Sequence, residues 1–244
     1  MWMLRKEQRK WLRITALAAL AAVILQGILG GMTVLYKLPV AISSFHAVLA
    51  QSFLCLTIFI AYALSQEFIE RKKSNLGNSK IFNASLLATG LVFIQLIIGA
   101  VMRHSGSGLA VLDFPTMGGE WLPSFSAEML EALNTTRANA KLYPITVSHA
   151  AIHIAHRAFG VIVLAAVFNL VLVVGKSNYK DSKVNKLTGL ILVLVAVQFL
   201  LGIITVFSLR SPVPTSVHVV CGALLLALLF SLSLISYDLK KHVS

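Results

Sequence analysis

Charge is scarce in this sequence: only 12% of its 244 residues are Asp, Glu, Lys or Arg, where a soluble domain carries about a quarter. Lipid rather than water is therefore the main solvent of the folded chain. Acidic side chains are scarcer still, nine in all, and none falls within a long apolar run. That excludes a carboxylate-bridged di-iron centre. No H-E-x-x-H motif is present, so the usual helical zinc-hydrolase site is excluded as well. The two cysteines, Cys55 and Cys221, sit inside apolar runs, where a thiol acts as a small hydrophobe. Neither a disulfide framework nor a cysteine-based zinc site can be read from them. The alternation of a membrane β-barrel is also missing.

What is present is apolar: 57% of the residues are hydrophobic. Runs of about 20 residues, enough to cross roughly 30 Å of hydrocarbon, lie near 14 to 36, 40 to 64, 81 to 103, 146 to 175, 185 to 208 and 215 to 237. Continuous runs of this length satisfy their own backbone only as helices. The expected fold is all-α, a polytopic membrane protein of six transmembrane helices. The N-terminal run has the basic start of a signal peptide but continues past a normal signal core, so a retained first helix is expected.

The net charge of +12 follows topology rather than a nucleic-acid stripe, and no nucleic-acid partner is expected. Fifteen of the 21 Lys and Arg residues fall at the N-terminus, in the second and fourth connections and in the tail. The other six are Lys37, Arg103, Arg137, Lys141, Arg157 and Arg210, all on or near the opposite side. This bias predicts cytoplasmic termini and a multi-pass protein of the cell (inner) membrane, with lipid as its first partner.

An internal repeat relates the first helix pair to the last. Gln26, Gly30, Thr33, Val34 and His46 match Gln198, Gly202, Thr205, Val206 and His218, with the same step of twenty residues from Gln to His. A partial third copy follows Gln95 and Gly99. Close helix approach explains the glycines and an interhelical hydrogen bond the glutamines, but packing alone does not call for a His at the same place twice. The long connection from about 104 to 145 begins Arg103-His104-Ser105-Gly106-Ser107-Gly108-Leu109-Ala110. A short amphipathic helix near 126 to 138, with Met129, Leu130 and Leu133 as its apolar residues, is expected there, either on the membrane surface or as part of a solvated loop.

Six histidines, His46, His104, His149, His153, His156 and His218, gather toward one side of the membrane, while His242 lies in the tail. Ionisable residues in membrane helices are costly and mark function. His149, His153 and His156 step by four and three, which puts them on one helix face. Two imidazoles on facing helices can ligate a heme iron axially, and Arg157, directly after His156, can pair with a propionate. His156 and His218 are the expected axial pair. Heme leads, with proton relay second and zinc third.

These residues together resemble the heme A synthase family of cytochrome oxidase assembly proteins. The resemblance rests on Gln26-Gly27-Ile28-Leu29-Gly30-Gly31-Met32-Thr33-Val34 with Ser44-Phe45-His46, Gln95 to Gly99 with the Arg103 to Ala110 run, Asp113-Phe114-Pro115, His153-Ile154-Ala155-His156-Arg157, and Gly202 to Val206 leading to His218. It implies oxidation of heme O, the substrate, to heme A, with a heme b cofactor on the iron ligands His156 and His218 and Arg157 beside it. His46 is then the catalytic residue of the substrate-heme site, facing that iron. Residues 1–74 become an N-terminal helix pair forming part of the substrate half, and 75–244 a four-helix heme-binding bundle.

The pattern also departs from the family. A typical member has eight transmembrane helices, and this chain aligns from the third, so the first helix pair and its site residues are expected from elsewhere: a separately encoded pair or a homo-oligomer. A non-catalytic heme-binding assembly protein is the alternative reading. Heme O synthase and cytochrome oxidase assembly proteins are the implied partners. Val111 and Met117 stand where many members carry cysteines, so no thiol-based reducing role is expected.

Overall fold

A backbone inside hydrocarbon has no water to bond, so each apolar run must close its own hydrogen bonds or pair with another strand. In the computed structural model, which describes residues 7–74 and 77–237, the runs close as helices. The described residues form α1 (Lys10–Leu35), α2 (Val40–Ala63), α3 (Gln66–Ser74), α4 (Ser79–His104), α5 (Ala127–Asn139), α6 (Val147–Gly175), α7 (Ser182–Phe207) and α8 (Pro212–Ser236), with no strand among them. Six of these, α1, α2, α4, α6, α7 and α8, are long and apolar enough to cross a membrane. The expected all-α polytopic architecture is what the structure shows. Arg5, Lys6, Lys240, Lys241 and His242 lie outside the described residues.

Polar residues start the helices where the sequence requires it. The Asn78 side chain accepts from the amides of Lys80 and Ile81 at 3.0 and 3.1 Å. Asp181 accepts from those of Lys183 and Val184 at 2.8 and 3.3 Å. Both satisfy N–H groups that a helix start leaves open. Pro212 opens α8 at its first turn, where no N–H is needed.

Four helices, α4, α6, α7 and α8, close into a ring in which α4 packs on α6 and α8, and α7 packs on the same two. Helices α6 and α8 are therefore diagonal to one another, as are α4 and α7. One half of the ring is filled by a continuous core that includes Ile81, Leu170, Ile191, Leu226, Leu229 and Leu232, each fully buried. Phe168, Leu190 and Val193 project outward from the same helices. A helix that is apolar inside and outside the bundle fits lipid as its surroundings. The α1–α2 hairpin leans on α4 and α8 through α2.

The short charged helix α3 is absent from the sequence reading, because nothing in its pattern is apolar-periodic. It holds the hairpin to the ring through Arg71, which is 5% exposed. Its guanidinium donates to Glu67 at 2.6 Å, Asp181 at 2.6 Å, the Tyr179 hydroxyl at 3.0 Å and the Ile235 carbonyl at 2.9 Å. Lys183 adds an ion pair to Glu67. Burial works against the charges of Glu67 and Asp181, yet the hydrogen bonds from Lys183 and Arg71 on the first and from Arg71 on the second hold both carboxyls below the usual range.

At the other end of the bundle, residues 105–146 and the first turns of α6 make a second small core from Ala110, Val111, Met129, Leu133, Ile145, Ala150 and Ile154, with Met117 and Leu130 against it. The expected helix near 126 to 138 exists as α5, but it does not spread its apolar face on a membrane surface. Met129 and Leu133, each 3% exposed, turn instead onto this core. Val111 and Met117 are packing residues of the same cluster.

Candidate functional site

The repeat seen in the sequence is a repeat of turn geometry as well. In the α1–α2 hairpin the amide of Leu38 donates to the Thr33 carbonyl at 2.7 Å, and in the α7–α8 hairpin that of Arg210 donates to Thr205 at 2.8 Å. Lys37 and Leu38 have φ of 54° and 61°; Leu209 and Arg210 have 52° and 62°. Identical turns bring each His back onto the same place of the preceding helix. A Cβ added to Gly30 would lie 3.2 Å from the His46 ring, and one on Gly202 would lie 3.4 Å from the His218 ring. The glycines are therefore seats for imidazoles, beyond merely permitting close helix approach.

The third copy is completed by the fold. A Cβ on Gly99 would meet the His156 ring at 3.2 Å, so α4 and α6 form the same cradle with the 105–146 segment inserted where the other hairpins have a tight turn. The amide nitrogen of Gln95 donates to the His156 carbonyl at 3.0 Å and stands 3.3 Å from each ring nitrogen. Gln26 is likewise 3.3 Å from the His46 ring. Gln95 and Gln198 each rest near a glycine four positions after a His. The Gln95 nitrogen would lie 3.5 Å from a Cβ on Gly160, and that of Gln198 3.1 Å from one on Gly222. The sequence reading missed these two glycines and the His156 copy. The signal was His-x-x-x-Gly, repeated at His156 and His218, and a Gln-to-His step lengthened by the inserted segment.

His156 and His218 come from the diagonal helices α6 and α8 and line one cavity of about 560 Å³ at the long-loop end of the ring. Gln95, Gly99, Gln198 and Gly202 line it from α4 and α7, and Val92, Val163, Val195 and Leu225 form its floor on the core. The cavity is within the size of sites that hold cofactors, and its lining is mostly apolar with a few polar atoms. Four of those polar atoms are buried without a partner: Gln95 Oε1, Gln198 Oε1, Thr205 Oγ1 and His218 Nδ1. Buried polar atoms in native proteins are nearly always satisfied, so a polar ligand or water is called for. Among the described residues no three His, Cys, Asp or Glu side chains converge as a metal site. A heme needs only two axial donors from the protein, together with an apolar slot, and the residues present fit that group.

The remaining histidines separate by role. His153 is 2% exposed, with the Val111 amide donating toward Nδ1 and Arg157 Nε toward Nε2, both at 3.2 Å. A neutral imidazole accepts at one nitrogen only, so His153 takes one of these two donors, and its contact with the Val111 amide joins the long segment to α6. His149 caps its own helix, its Nδ1 lying 2.8 Å from the Thr146 hydroxyl. His104 lines the cavity near its mouth. His46 is held by its own hairpin and is not among the cavity's lining residues.

Arg157 borders the cavity but is committed elsewhere. It donates to the carbonyls of Asp113 at 2.7 Å, Val111 at 2.8 Å and Thr116 at 3.3 Å, besides His153. Its guanidinium clamps the segment to α6. The Asp113 carboxylate in turn accepts from the Thr116 hydroxyl at 2.7 Å and from the amides of Gly118 and Gly119 at 2.9 Å. Burial works to raise this carboxyl, but the Gly119 amide, Thr116 hydroxyl and Gly118 amide hold it below the usual value.

Residues 1–230 match the sequence profile of the cytochrome oxidase assembly protein family. A heme A synthase of Paracoccus denitrificans (strain Pd 1222) is 30% identical over 182 residues, which cover 74% of this chain and 45% of that protein. The match thus spans less than half the length of that curated relative.

Proposed function

We propose, from the premise that this chain belongs to the heme A synthase family of cytochrome oxidase assembly proteins, that it is a membrane oxidoreductase acting in the conversion of heme O to heme A. The observation that carries the reading is the pair of matching cradles that aim His156 and His218 into one cavity. In this reading the two imidazoles hold a heme b, whose iron supplies one-electron transfer when bound. The protein's part is to fix the rings and exclude water. Gly99 and Gly202 seat the imidazoles, Gln95 steadies the ring of His156, and the apolar floor keeps the site dry.

His46 is the candidate substrate-side residue, in a third cradle of the same design. We place both termini on the cytoplasmic side of the cell (inner) membrane, because Arg9, Lys10, Arg13, Arg71, Lys72, Lys73, Lys176 and Lys180 mark one end of the bundle. Heme O synthase and other oxidase-assembly proteins are the natural partners for a farnesylated substrate entering from lipid.

A second reading, a heme-binding assembly protein without catalysis, is favoured by one observation: the match covers only 45% of the length of the heme A synthase relative. The test is a pyridine-hemochrome spectrum of the chain purified from cells that make heme O. Heme b together with heme A supports the enzyme. Heme b alone supports the second reading, and no heme defeats both. His156→Ala and His218→Ala are each expected to abolish the heme b spectrum, and full heme retention in both would end the axial assignment.

A further inference from the structure

Two arginines at the cavity's mouth have no task within the protein. Arg103 ends α4 and Arg210 ends the α7–α8 turn, and both line the cavity. Among the described residues neither makes an ion pair, and their side chains have no hydrogen-bond partner. The nearby carboxylates are spoken for, Asp113 by Thr116 and two glycine amides, and Glu120 by the amide and hydroxyl of Ser124.

The internal repeat shows that packing does not require these arginines. Counting from the shared Gln, Arg103 occupies the position of Val34 in the first copy and Val206 in the last. Arg210 occupies that of Leu38, in a turn with the same backbone. Charge thus appears at these two places only in the hairpins that enclose the cavity. Gly108 packs against the Arg210 side chain, with an added Cβ at ordinary contact distance, 3.5 Å from Cδ and 3.8 Å from Cζ. His104, which lines the cavity with them, lies within electrostatic range of both guanidinium groups.

We propose that Arg103 and Arg210 form the carboxylate-binding edge of the cavity and receive the acidic side chains of a tetrapyrrole held between His156 and His218. This rests on the heme reading above and reassigns the anion-binding role from Arg157, four of whose five N–H donors are taken by carbonyls of the 105–146 segment and by His153. Guanidinium groups suit carboxylates because their planar fork matches two oxygens. A lipid phosphate offers the same anionic chemistry at this depth, so the test separates the two.

The full-length chain in zwitterionic nanodiscs is titrated with iron protoporphyrin IX and with its dimethyl ester, followed by absorption. The wild type is expected to bind the free acid about tenfold or more tighter than the ester, the scale of one charge-assisted hydrogen bond. In the double variant Arg103→Gln/Arg210→Gln that preference is expected to vanish while ester binding stays unchanged, which also shows that the variant is folded. Arg157→Gln keeps the preference. A double variant that still prefers the free acid overturns the proposal, as does one that instead loses a preference for anionic over zwitterionic nanodiscs. A wild type that binds neither ligand overturns the heme reading itself and the proposal with it.

Discussion

Gly99→Ala is the sharpest probe of the cradle. The substitution adds one methyl group, which meets the His156 ring at 3.2 Å, tighter than nearly all real contacts of that kind, so the ring must retreat by a few tenths of an ångström. It has room to do so, because His156 borders the cavity, but the retreat moves the imidazole off the Gln95 amide nitrogen 3.3 Å away. Gly90, in the same helix, is the matched control: a Cβ there meets nothing within 4 Å. Replacing a helical Gly by Ala favours the helix by about 1 kcal/mol in water, so both variants are expected to fold with stability within about 1 kcal/mol of the wild type.

Heme binding is where they part. Displacing a ligand from its supporting contact costs about ten- to a hundredfold in affinity, so Gly99→Ala is expected to bind iron protoporphyrin IX that much more weakly, while Gly90→Ala matches the wild type. Absorption titration in detergent or nanodiscs reads the affinity, and thermal denaturation reads the stability. Unchanged affinity and spectrum in a folded Gly99→Ala protein would refute the claim that this glycine exists to seat His156. Loss of folding instead would reduce Gly99 to a packing residue.

Other substitutions test the supports. Gly222→Ala meets Leu96 at 2.9 Å and the Gln198 amide at 3.1 Å, so it is expected to lower the melting temperature measurably as well as weaken heme, by an overpacking cost of about 1 to 3 kcal/mol. Arg71→Ala leaves Glu67 and Asp181 without their shared buried partner, and a loss of about 3 to 5 kcal/mol is expected in a denaturation assay. Arg157→Gln strips donors from three loop carbonyls and is expected to make residues 110–120 exchange amide hydrogens faster with heme binding retained. The Asp113 carboxyl is held below its ordinary value of 3.8, so its contribution is complete above that value and is lost as pH falls through the lowered one. Amide exchange of the Asp113–Gly119 turn is expected to accelerate below about pH 4, and Asp113→Asn should remove that dependence.

The spans and their number were legible because hydrocarbon thickness sets a length that few sequences reach by accident. The predicted limits 40 to 64 and 146 to 175 differ from Val40–Ala63 and Val147–Gly175 by one residue at one end, while 14 to 36, 185 to 208 and 215 to 237 begin three or four residues inside Lys10–Leu35, Ser182–Phe207 and Pro212–Ser236. Helix α3 was not legible. Its residues are held by Arg71, whose partners Tyr179, Asp181 and Ile235 lie more than a hundred positions away, and no local pattern encodes such a bond. The amphipathic character of α5 was visible, yet what covers its apolar face was not, since lipid and a small protein core call for the same residues.

For the site, spacing carried the argument as far as spacing was kept. Two copies share a Gln-to-His step of twenty, and those were readable; the third has the same cradle with a folded segment between its Gln and its His, so its kinship shows only when Gly99 is found against His156. Adjacency misled where it stood in for geometry. Arg157 follows His156 in sequence, but successive residues on a helix point about 100° apart, and that turn sends its guanidinium to the carbonyls of Val111, Asp113 and Thr116. Arg103, distant from both ligands in the chain, lies in the last turn of α4 beyond Gly99, and Arg210, eight residues before His218, lies in the turn that follows α7 and its Gly202; both line the cavity. Arg103 stands four residues after its glycine seat, about one helical turn, and Arg210 eight residues after its own and past the end of α7, so the two occupy different places in the repeat and what they share is the cavity they line.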